Sequence, residues 1–87
     1  MHHNKRRDVD KMNAFVEKKI GENIRTLREK ARLTQEQLSA RLQVAGCDIT
    51  RSALAKIEVG QRHLYPDEII QIKLALGVNY EDIFRTE

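Results

Sequence analysis

The sequence has little of what staples a small protein: one cysteine, one proline, no tryptophan, and two each of phenylalanine and tyrosine. A single thiol, Cys47, excludes an intramolecular disulfide, so packing and hydrogen bonds must hold the fold, and a reducing cytoplasmic setting is expected. Cys47 itself reads as a loop thiol without a role, with an intermolecular bridge as the alternative. No apolar run approaches the ~20 residues of a bilayer-crossing helix, and no signal-peptide core follows the charged start, so no membrane association is expected. The chain also lacks a nucleophile elbow, a glycine-rich phosphate loop and a cluster of metal ligands. Its acids, among them Glu22, Glu29, Glu36, Asp67 and Glu68, fall where surface pairs and helix dipoles want them, so neither an enzyme nor a bound cofactor or metal is expected.

What is present is a chain of 87 residues, enough for one domain near the lower limit of a self-supporting core. Charged residues make up 33%, with a net charge of +3. That balance is compatible with a polyanion partner, and only its clustering on one face would make it an argument. Residues 1–12 carry no apolar period and read as a mobile arm. Lys5, Arg6 and Arg7 in it are suited to a phosphate backbone or a minor groove, or simply to solvent. His2 and His3 also read as a cloning remnant.

From Asn13 the pattern is helical: Phe15, Val16, Ile20, Ile24, Leu27 and Ala31 recur at spacings of three and four and share a face. Gly21 weakens that helix by about 1 kcal/mol relative to alanine, which close packing of another element would explain. Thr34 can cap a second helix, Gln35 to Leu42, with Gln37 completing a T-x-x-Q capping box and Leu33 stapling onto Leu38. Leu38 and Leu42 should point inward. Thr50 repeats the cap for a third helix ending before Gly60, with Leu54 and Ile57 inward and Arg51, Ser52, Ala55 and Lys56 outward. In the segment between them Gly46 and Asp48 are turn formers, and Val44 is expected under the core. Gln61, Arg62 and His63 form a polar basic loop, His63 having no partner in view. Pro66 opens a fourth helix, with Ile69, Ile72, Leu74, Ala75 and Leu76 at or near the core and a stop at Gly77. Asn79 caps a short fifth helix in which Val78 staples onto Ile83 and Phe84 closes the core.

The run T-Q-E-Q-L-S at Thr34 to Ser39, then Leu42 and Val44, then T-R-S-A-L-A-K-I-E at Thr50 to Glu58, then Gly60 and Arg62, resembles the helix-turn-helix of the phage-repressor and Cro (XRE-like) family. The resemblance extends to IGENIRTLRE at Ile20 to Glu29 and LALGVNYEDIF at Leu74 to Phe84, roughly three-quarters of the chain. It departs in the segment between Leu42 and Thr50, longer than the family's usual turn by about five residues.

The resemblance implies an all-α, five-helix bundle of the lambda-repressor-like type over residues 13–87, encoded by a bacterium or phage. It implies double-stranded DNA as partner, a homodimer, and a third helix (about residues 50–59) in the major groove. Arg51, Ser52, Ala55 and Lys56 would then read bases, since a guanidinium matches a guanine edge and a methyl matches thymine. Thr34, Gln35, Thr50 and Arg62 would contact phosphates. Arg28 and Glu58 would form a structural ion pair. Few residues follow the fifth helix, so no effector-binding or protease domain is expected. The alternative is a protein-interaction module of the same fold, an antitoxin or accessory factor, in which Phe15 and Val16 or the Tyr80–Phe84 surface meets a protein partner.

Overall fold

A computed structural model describes residues 5–87, with side chains from residue 11 onward except Met12. Five helices follow in order: α1 Lys5–Lys30, α2 Gln35–Val44, α3 Arg51–Glu58, α4 Pro66–Leu76 and α5 Tyr80–Phe84. The described residues contain no strand. The helix of α1 begins at Lys5, within the residues 1–12 expected to form an arm. His2, His3 and the side chains of Lys5, Arg6 and Arg7 lie outside the described residues.

The helices begin and end where local chemistry satisfies their free backbone groups. Thr34 Oγ1 accepts the Gln37 N–H at 3.1 Å while Gln37 Oε1 accepts the Thr34 N–H at 2.9 Å, a reciprocal capping box. Thr50 Oγ1 accepts the Ala53 N–H at 3.1 Å. After α3, Gly60 turns left-handed (φ 77°) and the Gln61 N–H reaches back to the Lys56 carbonyl at 2.8 Å, the Schellman stop. Helix α4 stops the same way at Gly77.

Packing follows from what these ends fix. Helix α1 lies against α3 and α5, and α2 lies against α3 and α4. Ile20 and Ile24 of α1 meet Leu38 and Leu42 of α2, Leu54 and Ile57 of α3, Ile72 of α4 and Ile83 of α5 in one core. Each such side chain, fully buried, contributes about 1.5–3 kcal/mol. Gly21 is buried at the α1–α3 crossing, where a methyl group would overlap the Ile57 carbonyl oxygen and crowd that of Glu58. Asn23 ties the far end of α1 to the last turn of the chain by donating to the carbonyls of Ile83 at 2.8 Å and Arg85 at 2.7 Å.

Four expectations about burial are corrected. Val44 is 90% exposed, because α2 runs on to it and the chain reverses at Gly46 only afterwards. The place under the core goes to Cys47 and Ile49, so the thiol is a packed core group. Leu74 is 62% exposed, since two residues along a helix turn it about 200° away from buried Ile72. Ile83 closes the core in place of Phe84, its exposed neighbour.

Candidate nucleic-acid interface

Helix α3 is clamped on one side and open on the other. Leu54, Ile57 and Glu58 are buried, Ala53 and Ala55 are half-buried, and Arg51, Ser52 and Lys56 are exposed. At 100° per residue, Ser52, Ala55 and Lys56 fall on the side away from the centre of the buried Leu54, Ile57 and Glu58, with Arg51 at the rim. The four side chains expected to read bases thus occupy one outward strip, about two turns long. Neither Arg51 nor Lys56 pairs with a carboxylate among the described residues.

The clamp is a buried polar knot at the last residue of α3. Arg28 Nε donates to Glu58 Oε2 at 2.7 Å and Nη2 to Oε1 at 3.0 Å, a bidentate pair with both side chains almost wholly buried. Its third nitrogen, Nη1, donates to the Leu33 carbonyl at 2.8 Å, and Gln35 Nε2 adds a bond to Glu58 Oε1 at 3.0 Å. The Glu58 carboxylate thus joins α1, α2 and α3, and the Arg28 guanidinium adds the α1–α2 turn. The hydrogen bond to Glu58 raises the Arg28 pKa above its ordinary value against the opposing effect of burial. Such a pair adds little net stability but fixes orientation, because each partner is costly to leave alone.

The lengthened turn is pinned as well. Buried Ser39 donates from Oγ to the Ile49 carbonyl at 2.7 Å, and the Cys47 N–H bonds the Leu42 carbonyl at 2.8 Å. The residue before the α3 cap is thereby held to the middle of α2. Ser39 was not singled out in the sequence. The available signal is its spacing, one residue after inward Leu38 and three before inward Leu42.

The residues expected at phosphates are distributed unevenly. Thr34 and Thr50 are exposed, with their hydroxyl oxygens serving as caps. The Gln35 amide is engaged with Glu58. Arg62 turns inward and forms a bidentate pair with Glu68, Nη1 to Oε1 at 2.9 Å and Nη2 to Oε2 at 3.1 Å. That contact raises the Arg62 pKa and holds the Glu68 carboxyl below its ordinary range. His63 does have a partner: its Nδ1 lies 2.9 and 3.0 Å from the two oxygens of Glu17 on α1. A shallow cavity beside this contact is lined by Asn13, Glu17, Gln61 and Arg62. Among the described residues no group of three His, Cys, Asp or Glu could hold a metal ion. No helix among them is long and apolar enough to cross a membrane.

A protein-family model described as a helix-turn-helix domain matches residues 21–87, from the glycine at the α1–α3 crossing to the last residue. No curated protein and no solved structure matches the chain.

Proposed function

Because the chain belongs to the helix-turn-helix family, of the phage-repressor and Cro type, we propose that it is a sequence-specific transcriptional repressor that places α3 in the major groove as a homodimer. Membership carries DNA-binding regulation in general; the mode of action is our reading. The observation that supports it is the outward strip of α3, where Arg51 and Lys56, without a carboxylate partner among the described residues, flank Ser52 and Ala55 on a helix tied to α1 through Glu58. A major groove about 12 Å wide admits one such helix, and Arg51 and Lys56 have the donors that guanine edges accept. Thr34 and Thr50 would stand at the flanking phosphates. Gln35 and Arg62 would join them only by releasing Glu58 and Glu68. The protein is read as having no catalytic role and no cofactor.

A module this small reads only a few base pairs, so two copies on an inverted repeat, about one helical turn apart, multiply the affinity. The test is selection from random duplex DNA, sequencing of the bound fraction, and a salt titration on the enriched site. An inverted repeat whose affinity falls steeply with salt is the expected result. Absence of any enriched sequence refutes the reading and favours the protein-interaction module. That second reading draws on exposed Phe15, which with Lys11, Val16 and Thr86 lines an apolar groove between α1 and the end of the chain.

A further inference from the structure

The described cations fall into two groups. Lys19, Arg25, Arg28, Arg62 and Arg85 each pair with a carboxylate. Lys11, Lys18, Lys30, Arg32, Arg41, Arg51, Lys56 and Lys73 pair with none among the described residues, and of these Arg41 donates to the Ala75 carbonyl while Lys73 lies over the Tyr80 ring. Arg51 and Lys56 are on α3, while exposed Lys30 is the last residue of α1 and exposed Arg32 stands two residues on, in the turn to α2.

That turn is bolted to α3. The Arg28 guanidinium donates both to the carbonyl of Leu33, the residue after Arg32, and to Glu58, the last residue of α3. Arg32 also adopts φ 59°, alone among the described non-glycine residues in the left-handed region. Glycine would sit there without the steric cost that an arginine side chain carries. A long cation thus occupies a position the backbone would give to glycine, and the same fold has already spent Arg62 on Glu68 and Gln35 on Glu58.

We propose that Arg32, with Lys30 beside it, is a contact for the duplex phosphate backbone flanking the groove that α3 reads, taking the role the sequence pattern gives to Arg62. This rests on the DNA-reading role of α3. The competing role for the two cations is local, as positive charge at the C-terminal end of α1, where it offsets the helix dipole. The two differ in what salt does. A phosphate contact releases a counterion, so its loss lowers the slope of log affinity against log salt by about 1. A dipole contact leaves that slope alone.

The experiment measures binding of the full chain, and of Arg32→Gly, Arg32→Lys and Arg51→Ala, to an enriched duplex and an unrelated one between about 50 and 200 mM salt. Thermal melting is followed in parallel. Arg32→Gly should weaken binding to both duplexes about equally, by roughly three- to tenfold, lower the salt slope by about 1, and melt no lower than the parent. Arg32→Lys should keep the slope. Arg51→Ala should instead erase most of the preference for the enriched duplex. An unchanged slope in Arg32→Gly, while the parent binds DNA, overturns the Arg32 assignment and leaves the α3 reading standing. A lower melting temperature in Arg32→Gly overturns it too, since the side chain would then be serving the fold. If the parent shows no salt-dependent binding to any duplex, both readings fall.

Discussion

Single side chains here divide into those the fold uses and those it leaves over. Arg28 belongs to the first kind: replaced by alanine, it leaves Glu58 buried with only Gln35 to answer its charge. Arg28→Ala should therefore cost about 3–5 kcal/mol in chemical denaturation. Arg51→Ala and Lys56→Ala should each change stability by less than about 0.5 kcal/mol, as for exposed positions without partners. Loss of folding in either of these two would mean that the inner and outer faces of α3 have been exchanged.

The Arg62–Glu68 pair gives a pH signature. Glu68 has a folded-state pKa below its ordinary value of 4.5, and Arg62 is the first cause. A carboxyl depressed in this way contributes stability that is fully present above its unfolded pKa and disappears as pH falls through the lower, folded one. Near neutrality Glu68→Gln should thus be less stable than the parent by about 1–3 kcal/mol. The gap should close as acid is added below about pH 4.5. Urea midpoints of the two proteins across that range check it.

At the scale of the element, α3 has few residues and is placed by its neighbours. Besides the Arg28–Glu58 pair, two contacts help to place it, and each can be tested. Gly21→Ala puts a methyl group onto the Ile57 carbonyl, so α1 and α3 must separate. A loss of at least about 1–3 kcal/mol is expected, read by denaturation. Ser39→Ala leaves the Ile49 carbonyl with the long Gln43 contact alone, at 3.5 Å, which should cost about 1–3 kcal/mol. It should also speed amide exchange across residues 45–50 relative to the core.

Much of this level was legible in the sequence. Thr34, Gln37, Thr50 and Gly60 act through local backbone chemistry, which spacing alone reveals, and Gly21 declared a close approach by the absence of a side chain. Arg28 and Glu58 lie far apart in the chain and were legible only through the family pattern. Val44, Leu74 and Phe84 were misplaced because apolar character does not fix which way a side chain points near a helix end or on a short helix. The partners of Arg62, Gln35 and His63 depend on how the helices cross, and no local pattern encodes that. The outward placement of Arg51, Ser52 and Lys56 followed from period alone, whereas their use on DNA is a separate matter that period cannot decide.

For the whole molecule, the question is whether one copy acts or two. A homodimer on an inverted repeat predicts a complex of two chains per duplex in sedimentation or native mass measurements, and much weaker binding to an isolated half-site. One chain per duplex with equal affinity for half and full sites would contradict it. Net charge alone, +3, would draw the chain to any duplex, so the contrast between sites matters more than binding itself.

The division of α3 into a held side and an open side also bears on how such a protein can change its target. Leu54, Ile57 and Glu58 keep the helix in place whatever stands at Arg51, Ser52, Ala55 and Lys56. On the proposed reading, preference and foldability are therefore written in different letters of the same eight-residue word. A lineage can rewrite the first without risking the second, and an engineer exchanging those four side chains has a scaffold that will tolerate the edit.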